Sequence, residues 1–217
     1  MAKKVVDKWK SKRWFTVVAP DVFDRRNVAE IVSSDESNLI GRTVSASLDV
    51  ITGNYAFPNP YVMVKFKITD VKGQNCFTKY VGHELAFSYI STLVRRRKSL
   101  IDHVTINSTL DNIKLKIKTL MVAPTKISRR ARRDLRHKVD EFFVQKLKES
   151  SLSDFLKLVF FSKLNAELYS VLKKIAPIAR VEIKKVELAK VPKKDEKQKQ
   201  QTKPTEQKVH EQSQSQQ

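Results

Sequence analysis

The side chains with the clearest chemical meaning are three lysines at every second position of a six-residue stretch. Residues 113–118 have the sequence Ile-Lys-Leu-Lys-Ile-Lys, and strict alternation of apolar and polar residues is typical of a half-buried β-strand. The apolar residues would face a core, so Lys114, Lys116 and Lys118 would form one row on the opposite face. Like charges in such a row repel one another unless something negative lies against them. The row therefore predicts binding to a polyanion.

A second cationic set lies at the start of a predicted helix that Ser128 can cap. Apolar residues one helical turn apart predict a buried stripe of Ala131, Leu135, Val139, Phe142 or Phe143, and Leu147. The exposed arc of the first two turns would carry Arg129, Arg130, Arg132, Arg133 and Arg136. A guanidinium group can donate two parallel hydrogen bonds to a phosphate. We favour nucleic acid over the alternative, a solvated basic face that contacts acidic groups within the protein, because other parts of the chain are basic too.

Two more clusters extend this pattern. A basic arm over residues 1–13 carries Lys8, Lys10, Lys12 and Arg13. A predicted helix over 82–97 ends in Arg95, Arg96, Arg97 and Lys98, where cations complement the negative end of the helix dipole. This cluster alone fits RNA binding and simple solvation equally well. Trp9 and Trp14 could stack on unpaired bases; a tryptophan in a strand is more often core, so we expect Trp14 to be buried and leave Trp9 open.

The basicity belongs to the body of the chain. Lys and Arg number 43 against 23 Asp and Glu, which gives a net charge of +20. The segment after Val191 has six lysines and four acidic residues, so it contributes little of that charge. Such a charge favours nucleic acid or an anionic membrane as partner. The start of the chain has no apolar signal region and no apolar run is long enough to span a bilayer, so we expect a cytoplasmic protein with no membrane partner.

Signatures of catalysis and metal binding are sparse. The single cysteine, Cys76, excludes an internal disulfide and a cysteine-based zinc site. His83-Glu84 lacks the second histidine that a zinc protease needs four residues after its first. Four glycines leave no room for a phosphate-cradling loop of the nucleotide-binding kind. We therefore expect a protein that is not an enzyme, with no cofactor, no metal and no small-molecule substrate.

The elements that would position these surfaces are strands in the first half of the chain and helices in the second. Strands are predicted at 14–19, 28–32, 41–52, 61–71, 75–80, 100–109, 112–122 and 181–188, the last with an irregularity at Lys184-Lys185. Besides the helix over 82–97, helices are predicted from 128 and over 152–175, broken near 162–163. The predicted organisation is a basic arm (1–13), a β-rich RNA-binding core with one helix (14–124), a helical region with a final strand (125–190) and a disordered Lys/Gln-rich tail (191–217).

The order of several motifs resembles one protein family. The motifs are Trp-Phe-Thr-Val-Val-Ala-Pro at 14–20, Leu-Ile-Gly-Arg-Thr-Val at 39–44, Asp-Val-Lys-Gly-Gln-Asn-Cys-Phe-Thr at 70–78, Gly-His-Glu-Leu at 82–85 leading to Leu-Val-Arg-Arg-Arg at 93–97, and Ile-Ala-Pro at 175–177 with Val-Glu-Ile-Lys-Lys-Val-Glu at 181–187. Together they resemble the small-subunit ribosomal protein shared by archaea and eukaryotes and absent from bacteria, the S-one-e (S-three-a-e) family. The resemblance covers about residues 8–190 and looks more archaeal than eukaryotic.

The resemblance implies a structural role on the platform of the small ribosomal subunit, near the messenger RNA exit. The implied partners are small-subunit ribosomal RNA and neighbouring platform ribosomal proteins, with mRNA nearby. It also implies an α+β fold: a β-barrel-like, mostly antiparallel sheet on which a mid-chain helix and C-terminal helices pack. The predicted mechanism is phosphate neutralisation by several basic surfaces on a rigid scaffold. The alternative is a free-standing RNA-binding factor in ribosome assembly or translation initiation.

Overall fold

Most of the strands form where apolar and polar residues alternate, and the long helix forms where apolar residues recur every three or four positions. The computed structural model describes residues 9–53 and 61–189. The strands are β1 (Arg13–Val18), β2 (Asn27–Ser33), β3 (Thr43–Ser47), β4 (Val62–Lys72), β5 (Asn75–Leu85), β6 (Ser99–Ser108), β7 (Lys114–Ala123) and β8 (Arg180–Leu188). The helices are α1 (Leu48–Thr52), α2 (Phe87–Leu93), α3 (Arg129–Glu149), α4 (Leu152–Phe160) and α5 (Lys163–Leu172). The predictions for Lys8 and for a disordered tail at 191–217 lie outside the described residues.

The eight strands of the described residues belong to one sheet, in the order β2-β1-β5-β8-β7-β6, and β4 pairs with β5 and with β3. Every pairing is antiparallel except that of β1 with β5. The predicted α+β fold with a mostly antiparallel sheet is confirmed. The sheet is open and not a closed barrel: within the described chain β2, β3 and β6 each have a single ladder partner. The sheet branches at β5, which pairs along one edge with β1, at residues 75–77, and with β8, at residues 82–84.

Gly82 lies where β5 meets β8. It is paired with Glu187, and a Cβ atom built at Gly82 would lie 2.4 Å from the carbonyl oxygen of Val186. A glycine in a strand interior often marks such a close approach of another backbone. The predicted helix over 82–97 is therefore wrong at its start, because residues 82–85 belong to β5 and their ladders to β4 and β8 satisfy the backbone. Helix α2 begins only at Phe87 and ends at Leu93.

A second difference concerns the predicted strand over 41–52. Strand β3 ends at Ser47, and the chain then turns into α1, which buries Leu48 and Ile51. Gly53 ends this helix with φ at +63°, a conformation that costs glycine little. The smaller irregularities were predicted correctly. Ser162 separates α4 from α5 at φ +55°, and Lys184 is the extra residue where β8 shifts register against β7.

The main core lies between one face of the sheet and helices α3 to α5. From α3 the buried side chains are Leu135, Val139, Phe143 and Leu147, so Phe143 and not Phe142 completes the stripe. They join β7 residues such as Ile117 in one cluster of buried side chains. A smaller cluster holds Phe15, Val17 and Cys76. Burial raises the pKa of the Cys76 thiol, which suits a packing role better than a nucleophile.

His83 is the most deeply buried titratable group that faces the helices. Its Nδ1 atom lies 2.7 Å from the hydroxyl of Tyr80, and its ring packs edge-on against Phe160 with centroids 5.2 Å apart. Burial lowers the pKa of His83 to about 3. In the unfolded chain the imidazole takes up a proton near pH 6.5, whereas the folded protein does so only near pH 3.

Stability is therefore expected to fall as the pH drops from 6.5 towards 3, because protonation favours the unfolded chain throughout that window. From neutral pH to pH 4.5, the free energy of unfolding of the wild-type protein should fall by roughly 2–3 kcal/mol more than that of a His83→Leu variant. Urea denaturation at several pH values measures this difference. A Tyr80→Phe variant retains the imidazole and should keep the wild-type dependence on pH. Equal dependence in wild type and His83→Leu would contradict the assignment.

Candidate nucleic-acid interface

The first two turns of α3 present five arginines. Ser128 caps the helix by accepting a hydrogen bond from the amide of Ala131 at 3.3 Å, as the sequence predicted. Four of the guanidinium-bearing side chains are exposed and one is half-buried; the exposed ones are Arg129, Arg130, Arg133 and Arg136. None of the five forms an ion pair with a carboxylate in the described part of the chain.

Arg132, the half-buried member, differs from the other four. Its Nε atom is shielded from solvent and has no hydrogen-bond partner among the described residues. Buried polar groups in proteins are almost always hydrogen-bonded. Moreover, the first turn of α3 contains no acidic residue, although the positive end of the helix dipole would favour one. This end of α3 therefore concentrates positive charge that the described chain does not compensate.

The second cluster, Arg95 to Lys98, occupies a loop and not the end of a helix. Helix α2 stops at Leu93, and Arg97 adopts φ +69° in the turn that leads to β6. The interpretation that these cations complement the dipole of a helix is wrong, because they follow the last turn. Instead, Arg95 and Lys98 line a cavity of about 340 Å³ together with Thr92, Leu93, Val122, Ala179 and Arg180.

Arg180 is the member of this cavity that sequence reasoning missed. It is the first residue of β8, paired with Val122 of β7, and only the register of the two strands brings it beside Arg95. Its Nη1 atom donates a hydrogen bond of 2.9 Å to the hydroxyl of Tyr89, which in turn donates to Glu182. Burial raises the pKa of Glu182, against the opposing effects of the Tyr89 hydrogen bond and the Arg180 charge. Three cations thus surround a space large enough for a phosphate group.

The lysine row lies on β7 as the alternation predicted. Leu115 and Ile117 are buried in the core, so Lys114, Lys116 and Lys118 face the other side of the sheet. Lys116 is paired across the ladder with Glu187, and Lys118 with Lys185. The pKa of Glu187 is lowered, first by a hydrogen bond from Lys185 and to a smaller degree by the charges of Lys118 and Lys116. The positive charge of the row is therefore partly compensated by Glu187.

The compensation belongs to a ladder of alternating charges across the same face of the sheet. Lys65 lies 2.7 Å from Glu84, Glu84 lies 3.2 Å from Lys185, and Lys185 lies 2.7 Å from Glu187. Hydrogen bonds from Lys65 and Lys185 lower the pKa of Glu84. Glu84 and Glu187 are thus largely occupied by lysines other than those of the row.

The described part of the N-terminal arm is basic and aromatic. Lys10, Lys12 and Arg13 are exposed, and the ammonium group of Lys12 lies 4.5 Å from the centre of the Trp9 ring. The expectation that Trp14 is buried is wrong, since the residue is 62% exposed. Because β1 alternates, Phe15 and Val17 take the inward positions and Trp14 must face outward.

These surfaces do not form one site. Helix α3 packs on the inner face of β6, where Asp140 accepts hydrogen bonds of 2.7 Å from Thr105 and contacts Nε2 of His103 at the same distance. The lysine row lies on the outer face. Helix α2 covers Leu120 and Val122, which lie on that outer face towards the C-terminal end of β7. The Arg95–Lys98 loop follows α2 and shares a cavity with Val122, so it lies at this end of β7 on the same face. The structure therefore places the loop and the lysine row on one face and the arginines of α3 on the other.

Within residues 9–53 and 61–189, no group of three or more His, Cys, Asp or Glu side chains is arranged to hold a metal ion. No helix there is both long enough and apolar enough to cross a membrane.

Comparison with known proteins gives one consistent result. The model of the Ribosomal S3Ae family matches residues 1–192. The small ribosomal subunit protein eS1 of Archaeoglobus fulgidus is 36% identical over 191 residues, which cover 88% of this chain and 90% of the relative. The proteins of the same name from Sulfurisphaera tokodaii and Saccharolobus islandicus are 32% and 33% identical over 188 residues, which cover 87% of this chain and 96% and 89% of the relatives.

Proposed function

The chain belongs to the ribosomal S3Ae family, and from this premise we propose that phosphate contacts to ribosomal RNA hold it in the small subunit. As a member of this family it is a structural constituent of the small ribosomal subunit. We place it on the platform, near the mRNA exit and beside neighbouring platform proteins, as the sequence resemblance implies. The proposed role involves no catalytic step and no cofactor.

One observation carries the proposal: the arginines of α3 form no ion pair with a carboxylate among residues 9–53 and 61–189. Like charges three or four residues apart on a helix destabilise it, and the pairs Arg129–Arg133 and Arg132–Arg136 have that spacing. Cations at a helix N-terminus also oppose the dipole. Asp134 is the one acidic residue among positions 129–136 and forms no ion pair with these arginines, so the isolated fold offsets these costs little, whereas RNA phosphates would offset both. Arg132, which is half-buried, adds a fifth positive charge to the same end of the helix.

Phosphate contacts position a protein on a nucleic acid without identifying its sequence. RNA helices are distinguished mostly by shape, since their deep major groove is inaccessible to side chains. A rigid sheet with cations on two faces fits this mode, because it fixes the distance between separate phosphate-binding surfaces. The exposed tryptophan Trp14, beside Arg13 and Lys12, adds an aromatic plane on which an unpaired base can stack.

The mechanism predicts a steep dependence on salt. Each neutralised phosphate contributes about −0.7 to −0.9 to the slope of log affinity against log salt concentration. With five or more contacts, the affinity of the full-length chain for a small-subunit rRNA transcript should fall by about a thousandfold or more for each tenfold rise in salt. Filter binding from 0.05 to 0.5 M potassium chloride measures the slope. A nearly flat dependence would contradict phosphate neutralisation.

Sedimentation separates the proposal from its alternative. A subunit constituent should co-migrate with small subunits on sucrose gradients, one copy per particle, after a high-salt wash. A free-standing factor in assembly or initiation should be removed by the same wash. Quantitative immunoblotting of the gradient fractions against a standard small-subunit protein gives the stoichiometry.

A further inference from the structure

We propose that strand β6 receives an extended acidic segment of a neighbouring protein, which adds to the sheet as a ninth strand. The inference rests on the proposed function only in requiring a particle in which such a neighbour exists. It assigns the lysine row of β7 to a protein and leaves the arginines of α3 to RNA.

The first observation is the free edge of β6. Within the described residues β6 pairs with β7 alone, over ten consecutive residue pairs from Ser99–Ala123 to Ser108–Lys114. Alternate N–H and C=O groups of such a strand point away from its partner. A long unpaired edge is a template for another strand, and strand addition is a common way to bind an extended peptide. No proline blocks this edge, since residues 99–108 contain none.

The second observation is that three of the five outward residues of β6 are apolar. Val104 is 45% exposed and Ile106 is 59% exposed, and the outward Leu100 is exposed as well. The ladder pairs Val104 with Lys118 and Ile106 with Lys116, so two exposed β-branched residues lie directly beside the lysine row. An exposed apolar edge strand of this length is an aggregation hazard unless a partner covers it.

The third observation concerns charge. Lys114, Lys116 and Lys118 form no ion pair among the described residues, and Glu187 is hydrogen-bonded to Lys185. Asp102, the outward residue next to Val104 on β6, lies 3.8 Å from Lys184. The part of the face around Val104 and Ile106 therefore combines apolar contact area with a row of lysines whose positive charge Glu187 compensates only in part. The α3 surface has arginines instead, whose fork suits phosphate, and a phosphate chain offers no apolar area to cover β-branched side chains.

Strand geometry defines the partner. A strand added to β6 would lie two strand spacings from β7, about 10 Å, within reach of a glutamate and a lysine that extend towards each other. The ion pairs would then pass over Val104 and Ile106 and cover them with methylene groups. The inner face of the added strand would adjoin the core side of β6. The expected segment therefore alternates acidic residues, facing outward, with apolar residues, facing inward.

Binding of a defined peptide tests the surface on the isolated full-length chain. The probe is a fluorescent ten-residue peptide of alternating glutamate and valine, measured by anisotropy. The triple variant Lys114→Glu, Lys116→Glu, Lys118→Glu should weaken binding at least tenfold, and Val104→Thr with Ile106→Thr at least threefold. The matched control replaces Lys67, Lys72 and Lys79 with glutamate and should bind the peptide nearly as wild type does. Circular dichroism melts verify that each variant is folded.

A peptide in which every backbone amide is N-methylated separates strand addition from simple charge attraction. N-methylation removes the donors that the ladder needs and leaves every charge, so binding should fall at least tenfold. Unchanged binding would overturn strand addition at β6.

The second experiment uses the assembled small subunit. A p-benzoylphenylalanine at position 106 should crosslink to a protein segment rich in acidic residues, whereas the same group at position 133 should crosslink to RNA. An RNA adduct at position 106, a protein segment without carboxylates, or no adduct at all would overturn the inference. An RNA adduct at position 133 in the same particles would leave the proposed function intact, so the two failures are distinguishable.

Discussion

Replacement of Arg129, Arg130, Arg133 and Arg136 by glutamine is expected to lower the affinity for small-subunit rRNA on the order of a thousandfold at 0.1 M salt. Each arginine that neutralises a phosphate releases a condensed counterion, so four lost contacts should also reduce the salt slope by about three. The four side chains are exposed and form no ion pair within the described part of the chain, so the folded state should not be destabilised. Removal of their mutual repulsion favours the helix instead.

The control for this variant removes the same number of positive charges elsewhere. Arg25, Lys72, Lys138 and Lys146 all have carboxylate partners, namely Asp21, Asp70, Glu141 and Glu167. Their replacement by glutamine lowers the net charge equally but should change the affinity far less. If both quadruple variants lost affinity to the same extent, overall charge and not the α3 surface would account for binding. Filter binding with the same rRNA transcript measures both.

The second large effect is expected at Gly82, where alanine should destabilise the fold by about 3 kcal/mol. The added methyl carbon would lie 2.4 Å from the carbonyl oxygen of Val186, and a backbone atom cannot rotate away as a flexible side chain can. Strands β5 and β8 would have to move apart at residue 82, where their short ladder begins. Urea denaturation gives the change in the free energy of unfolding.

Val81→Ala is the matched control for this prediction. Val81 precedes Gly82 in the same strand and is only half-buried, so its truncation should cost less than about 1 kcal/mol. If Gly82→Ala were as stable as wild type, the close approach of β5 and β8 would not limit which residue fits at position 82.

The strands and the long helix could be predicted because their core residues keep a single period. In β4 the buried residues Val62, Val64, Phe66 and Ile68 alternate without interruption, and α3 repeats its buried residues every three or four positions. Residues 82–85 were placed in a helix because their identity as a strand depends on β8, about a hundred residues later in the chain. Residue type favours the core for a tryptophan in a strand, whereas alternation with the buried Phe15 and Val17 directs Trp14 outward. In this strand the alternation decides the orientation.

For the candidate surfaces too, some features could be predicted from the sequence and others could not. The residue types of the α3 arginines and the lysine row were visible in the sequence, since each set follows the period of its own element. Their placement on opposite faces of the sheet was not visible, because it depends on the register of β6 against β7 and on Asp140 of α3 contacting His103. Arg180 joined Arg95 for the same reason, through a ladder between distant strands.

The position of β8 within the sheet has a consequence for synthesis. Strand β8 is the last of the eight strands in chain order, yet it lies between β5 and β7. While the polypeptide emerges from a ribosome, the hairpin of β6 and β7 cannot join the other strands through this sheet until residue 188 has been made. The edges of β5 and β7 that β8 joins must therefore stay unpaired with it through most of translation.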